Sequence, residues 1–243
     1  MADPDYRARL LQQYVSTHAS VSGAVAGLEG RRAYLERLVR DHFPSEKSAA
    51  VLDLGCGHGA LLWAARGLGY TSLAGVDASP EQVAAARQLG ILGVRQGDLK
   101  AALAETASAS LDVVVLFDLY HYFTPAEQFA LADEVRRVLK PGGRWILHVP
   151  NGEALFAARM RYWDYLARGA FTRASISQVL RTCGFADVRC FEDVPAVHGL
   201  ASAGRWLAWK LVRGVARFVL AAETGETGAA AIFSQCLLAV ATK

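Results

Sequence analysis

Residues 51–59 read Val51-Leu52-Asp53-Leu54-Gly55-Cys56-Gly57-His58-Gly59, a short β-branched and leucine run that breaks into three alternating glycines. An apolar tetrad of this kind suits a buried strand, and the glycines mark a turn whose backbone must come close to something. The segment that follows, Ala60–Leu68, carries apolar residues at helical spacing. The nonapeptide is therefore a strand, a bare turn and a helix N-terminus in sequence. Free N–H groups and the positive end of the helix dipole would face any ligand seated there. A glycine turn alone also serves a plain strand-to-helix connection, so its surroundings decide.

Working outward, strands are predicted at Ser72–Val76, Gly93–Gln96, Asp112–Phe117 and Arg144–Val149. Helical patterns lie between them at Pro80–Leu89, Leu99–Ala107 and Pro125–Leu139. Pro80 and Pro125 stand at first-turn positions behind the N-caps Ser79 and Thr124, and Lys140-Pro141-Gly142-Gly143 ends the last helix. Strand–helix alternation implies a parallel sheet covered on both faces. Asp77 closes the second strand, where a carboxylate can accept bonds from both hydroxyls of a ribose. Asp98 follows the third in Gln96-Gly97-Asp98, placed to accept from an adenine amino group. Open α/β sheets bind ligands at this carboxyl edge.

Upstream, residues 5–42 read as helical. Downstream come a helix near Ala174–Cys183, a strand Asp187–Glu192, a long amphipathic helix near Ala203–Leu220 and a final strand Ala231–Ala241. The 243 residues are 53% apolar with net charge +3, enough for one domain with a sizeable core and no sign of a basic nucleic-acid footprint. Cys56, Cys183, Cys190 and Cys236 form no CxxC pair, so neither a disulfide framework nor a structural metal is expected. The polar N-terminus has no signal-peptide core, and no stretch is long enough to span a bilayer. A cytoplasmic location is expected.

Taken in order, VLDLGCGHG, GVDAS, QGD, LDVVVLFDLYHYF and LKPGGRWILHVPN resemble the motifs of the class I S-adenosylmethionine (SAM)-dependent methyltransferases over residues 50–151. That resemblance implies a Rossmann-like, doubly wound α/β fold with a seven-stranded sheet, mostly parallel with the last strand antiparallel, and a helical cap. It implies one domain over 1–243: a helical lid (5–42), a SAM-binding core (50–151), acceptor-side elements (152–228) around strand 187–192, and the last strand (231–241). It also implies SAM as the cofactor. Asp53 would position its amino group, with Gly55, Cys56, Gly57 and Gly59 around the methionine part. Asp77 and Ala78 would sit at the ribose, Asp98 and Leu99 at the adenine, and Phe117 and Asp118 at the methyl-donor face. Val149-Pro150-Asn151, Arg161-Tyr162-Trp163-Asp164 and Phe171-Thr172 are further similar to methyltransferases encoded with bacterial polysaccharide or glycan genes. Where that group carries threonine-histidine after the aspartate, this chain has Tyr165-Leu166-Ala167.

Methyl transfer from a sulfonium is an in-line displacement, and an alcohol acceptor also calls for a general base. His121 is the expected base, with packing or capping of its turn as the plainer reading. Asp118 would orient it, and Asp164 would contact an acceptor hydroxyl. His148, on the fifth strand, reads as a satisfied core or rim histidine. Tyr14, His18, Tyr120 and Tyr162 are expected on the acceptor side. The acceptor is expected to be a small molecule, a sugar or glycan intermediate above all, with no nucleic acid and no metal. The helix around Trp206 could pair two copies or touch a membrane surface. Rival readings are a small-molecule O- or N-methyltransferase of secondary metabolism, an inactive SAM-binding subunit, and a nicotinamide oxidoreductase. The last is disfavoured by GxGxG in place of GxGxxG. Neither GxSxG nor a phosphate-binding GxxxxGK[ST] occurs.

Overall fold

The computed structural model describes Leu10 and residues 25–194, 199–225 and 231–243. Tyr14 and His18 lie outside the described residues. In chain order the elements are α1 (Val25–His42), β1 (Val51–Leu54), α2 (Ala60–Gly67), β2 (Leu73–Asp77), α3 (Pro80–Gln88), β3 (Val94–Gln96), α4 (Leu99–Glu105) and β4 (Leu111–Phe117). A single 3₁₀ turn, Tyr120–Tyr122, leads to α5 (Pro125–Val138), β5 (Leu139–Pro150) and α6 (Ala157–Arg161). The chain continues through α7 (Arg173–Thr182), β6 (Asp187–Glu192), α8 (Leu200–Thr224) and β7 (Cys236–Thr242).

Seven strands form one sheet in the order β3-β2-β1-β4-β5-β7-β6. β1 to β5 run parallel, whereas β7 is antiparallel to both β5 and β6. The fold is the expected one. β4 shows why it is sandwiched: Val114 and Leu116 pack with Leu52, Leu54, Leu131, Val135 and Ile176 on one face. Val113 and Val115 pack with Leu35, Val39, Leu61 and Leu62 on the other. Alternate side chains of a strand point to opposite faces, so an unbroken apolar run needs helices on both.

The helix starts follow their caps. The Ser79 hydroxyl accepts from Gln82 N (3.3 Å), and Thr124 with Glu127 makes a reciprocal capping box around Pro125. Two boundaries differ from expectation by five residues. β5 begins at Leu139, because Leu139 already pairs with Leu111 ahead of the Pro141-Gly142-Gly143 irregularity. The last strand begins at Cys236, not Ala231. No helix among the described residues is long and apolar enough to cross a membrane.

Candidate active site

β1 and β2 end side by side, and the glycine loop is tied to the neighbouring strand. Gly55 N and Cys56 N both donate to Val76 O (2.7 and 3.2 Å). Gly55 has φ +68°, and a Cβ there would fall 1.9 Å from Leu119 Cδ1. Only glycine fits. Asp77 closes the turn: its Oδ2 accepts from Gly57 N (2.7 Å) and its Oδ1 from Ser79 N (2.8 Å). A carboxylate has about four acceptor sites, so Asp77 keeps capacity for ligand hydroxyls.

A cleft of about 290 Å³ opens above this loop, with Asp53, Asp77, Asp118, Phe117, Arg31 and Tyr122 on its walls. Asp53 sits on the face shared with Val51, 4% exposed and with no hydrogen-bond partner among the described residues. Burial, and then the charge of Asp77, push its carboxyl up to about 7. Burial likewise raises Asp77 above the usual carboxylate range, against the pull of its two N–H donors. Three carboxylates on a partly desolvated cleft favour a cationic ligand, such as a sulfonium carrying an ammonium group.

Asp118 ends β4 at φ +55°, a left-handed conformation uncommon outside glycine. Its Oδ1 meets His148 Nδ1 at 2.6 Å, and His148 Nε2 lies 3.6 Å from Asp193 Oδ2. Tyr34, from α1, faces Asp193 in turn, and burial together with that carboxylate pushes its phenol up. Burial pulls the His148 imidazole down, but the charge and hydrogen bond of Asp118, then those of Asp193, outweigh it and hold it near about 10. Asp118, whose side chain is 60% exposed on the cleft wall, is partly desolvated by the surrounding protein, but His148⁺ keeps it below the usual carboxylate range. Donor atoms of Asp118, His148 and Cys236 lie within 4.8 Å of one another. The first two engage each other, and burial pushes the Cys236 thiol up, so the trio fits an ion pair beside a neutral thiol better than a metal.

The remaining expected residues divide. Gly55, Cys56 and Gly57 line the cleft, and Gly59 forms the first turn of α2 behind them. Asp98 caps α4, its Oδ1 accepting from Lys100 N (2.8 Å) and Ala101 N (3.0 Å), which leaves Oδ2 open at the sheet edge. Ala78 is exposed beside Asp77, and Leu99 is half-buried behind Asp98. Tyr120 is a correction: it is fully buried between Trp145 and Phe171, with its hydroxyl donating to Gln128 O. It is core, not acceptor wall. Tyr162 is 75% exposed and lines neither this cleft nor the cavity described next. His121 is 5% exposed and absent from the cleft wall, and burial pushes it down to about 4 despite Asp118 and Asp164 nearby. Asp164 accepts from the Tyr122 hydroxyl (2.9 Å) at the cleft mouth.

Sequence reasoning missed Arg31, Tyr122 and Asp193, and read His148 as inert. A second cavity of about 760 Å³ adjoins the first through Arg31, with Asp193, Arg205, Trp209, Arg213 and Phe233 among its walls. The signal was the sequence position of Asp193, directly after a strand at the same carboxyl edge.

This sheet order and its glycine-floored, acidic cleft define the class I methyltransferase architecture. Residues 51–143 match the family model described as "Methyltransferase domain". A 37.1 kDa uncharacterized protein of transposon TN4556 from Streptomyces fradiae is 30% identical over 182 residues, covering 71% of this chain and 50% of that protein. A tRNA U34 carboxymethyltransferase from Hahella chejuensis is 28% identical over 169 residues, covering 64% and 50%. The chain thus spans about half the length of these curated relatives. A SAM-dependent methyltransferase from Archaeoglobus fulgidus superposes with a TM-score of 0.65 at 18% identity, over 90% of this chain and 100% of that one. Residues 51–143 are thus similar to a methyltransferase domain, and the fold around them is one that known SAM-dependent methyltransferases share. The name of the Hahella relative removes support for excluding a nucleic-acid partner.

Proposed function

We propose that this chain transfers a methyl group from SAM to a hydroxyl or amine of a small anionic acceptor, a sugar or glycan intermediate, bound in the second cavity. The observation that carries the reading is the line Asp118–His148–Asp193, which joins the two cavities. Asp118 belongs to the first wall and Asp193 to the second, with one charged imidazole between them. Arg31 and Arg205 have no ion-pair partner among the described residues and suit a phosphate or carboxylate, while Trp209 and Phe233 suit the C–H face of a sugar.

When bound, SAM supplies an electrophilic methyl group on a sulfonium. Asp53 would hold the ammonium group and Gly55 to Gly59 the methionine part. Asp77 with Ala78 would hold the ribose, Asp98 with Leu99 the adenine, and Phe117 would line the donor face. Asp118 accepts a hydrogen bond from the acceptor, aligns its lone pair with the methyl carbon, and takes the acceptor's proton as the new bond to carbon forms and the methyl–sulfur bond breaks, passing it on to solvent. Its pairing with His148 keeps it ionised, which makes it an aligning group more than a strong base. We assign it this part in preference to His121, a buried neutral imidazole off the cleft wall. Asp164, through Tyr122, positions the mouth.

Calorimetry should show micromolar SAM and S-adenosylhomocysteine binding that Asp77→Ala weakens; NADH binding in their place would overturn the cofactor assignment. A radiolabelled-methyl assay against nucleotide sugars, lipid-linked glycans and small phenols then finds the acceptor. A second reading has its own support in the exposed Arg161-Tyr162-Trp163 segment. There Arg159 and Arg161 lie over the Trp163 and Tyr162 rings at 6.0 and 5.6 Å, a surface on which bases could stack. Methyl incorporation into tRNA and none of the small acceptors would favour it.

A further inference from the structure

α8 has its polarity reversed for a helix lying on a folded domain. Its inward side carries the polar groups: Ser202 is buried, and Arg213 is buried with its Nε 3.2 Å from Glu192 Oε1. Arg217 reaches the other oxygen of Glu192 at 3.7 Å. The outward side carries Leu207, Leu211, Val215, Phe218 and Val219, each 54–74% exposed. In helical projection the sector holding these five contains no charged residue. Amphipathic helices of globular domains do the opposite, turning the apolar stripe to the core.

The apolar face does not stop at the helix. Leu155 shares a shallow groove with Leu211, Val212, Val215 and Val219, and the neighbouring Phe156 is 68% exposed. A contiguous apolar surface of this extent marks an interaction site. Its rim is basic. Arg205 and Lys210 flank the outward sector on opposite edges and Arg159 and Arg161 stand on α6 beyond Leu155, while Glu223, the single acidic residue on α8, lines the far end of the groove.

We propose that α8 docks this protein on an anionic lipid surface, with the outward leucine, valine and phenylalanine side chains entering the headgroup–acyl boundary and Arg205 and Lys210 meeting lipid phosphates. Charge decides the occupant. A second copy would set one basic rim against another, whereas anionic headgroups neutralise both edges at once. The second cavity is walled by the adjacent turns of the same helix, at Arg205, Ala208, Trp209 and Val212, so docking brings its mouth to the headgroup layer. The inference is independent of the methyl-transfer reading, because it is tested without SAM or an acceptor.

The test is co-sedimentation of the full chain with vesicles of phosphatidylcholine alone and of phosphatidylcholine mixed with phosphatidylglycerol. Binding is expected only to the anionic vesicles and should be released by salt. The combined variant Leu207→Ser, Leu211→Ser, Phe218→Ser should lower the partition coefficient about tenfold or more, since it removes three insertable side chains. Lys210→Glu alone should weaken binding while circular dichroism and SAM affinity stay unchanged, which keeps the test decisive if the triple variant misfolds. Equal binding to both vesicle types, or binding to neither, overturns the proposal. So does light scattering that shows a dimer in the full chain and a monomer in the triple variant.

Discussion

Asp53 stands where β1 otherwise buries Val51, Leu52 and Leu54, and the cost shows in its proton affinity. Its carboxyl is pushed up to about 7, so the fold disfavours the ionised form. The ligand-free protein should lose stability as pH rises from about 4 to about 7 and then level off. A ligand ammonium supplies the missing counter-charge, so SAM should bind more tightly at about pH 8 than at about pH 6, releasing a proton. Asp53→Asn should raise the melting midpoint of the free protein by about a few degrees at pH 8 and weaken SAM about tenfold. It should also flatten the pH dependence. Calorimetry and thermal melts check all three, and a wild-type affinity that is flat across this range would remove Asp53 from the ammonium site. His148 has the opposite sign. Its folded value near about 10 exceeds the ordinary value near 6.5. The stability it contributes is therefore full below about 6.5 and lost as pH rises through about 10. His148→Gln should lower the melting midpoint at neutral pH, because Asp118 and Asp193 then face each other without the cation. It should also lower kcat with little change in SAM affinity. His121→Ala, by contrast, should keep most of its turnover; a loss above about a hundredfold, the scale of a general base, would restore His121 to the chemistry. Asp53 was legible because it lies inside a recognisable motif. His148 was not, since a histidine on an apolar strand looks the same whether or not two acids approach it from distant parts of the chain.

At the scale of elements, the β1–α2 turn is where backbone and ligand compete for the same space. Gly55 is confined by Leu119, which arrives from the end of β4. Gly55→Ala therefore meets two obstacles, the positive φ and the side chain. It should destabilise by about 1–3 kcal/mol and reduce SAM binding. Adding Leu119→Ala should recover part of the stability, because it clears the contact but leaves the backbone strain. A double variant no more stable than the single one in urea melts would show that φ alone decides the position. The glycine requirement and the Ser79 and Thr124 caps could be read from sequence because they are local rules. Tyr120 could not: its burial against Trp145 and Phe171 depends on β5 and on the segment before α7, and the 3₁₀ turn alone does not say which of its three aromatic residues faces inward. Tyr122, two residues on, faces the cleft instead.

Across the whole molecule, alternation of strand and helix gave β1 to β5 as parallel strands, although the β3-to-β4 crossover carries the chain past β2 and β1 to the far side of β1. The last third obeys no such local rule. β7 enters between β5 and β6, so the final strand occupies an interior place in the sheet and pairs along its length on both sides. Pro150 pairs with Cys236 and Asp187 with Thr242, contacts that need nearly the entire chain in place. Non-local pairings of this kind are slow to form and cooperative once formed. β7 also bears on the candidate site, since Leu238 pairs with His148 and Cys236 stands beside it. A chain ending before Cys236 leaves β6 with no strand partner and exposes the edge of β5 just where His148 is held. Such a chain should therefore not lose a tail but fail as a unit. It is expected to melt without a cooperative transition and to bind no SAM, although every residue of the glycine loop is present. Circular dichroism melts and calorimetry on the truncated chain decide it: a cooperative transition with retained SAM binding would show that β1 to β5 fold and hold the cofactor without the strand that completes the sheet.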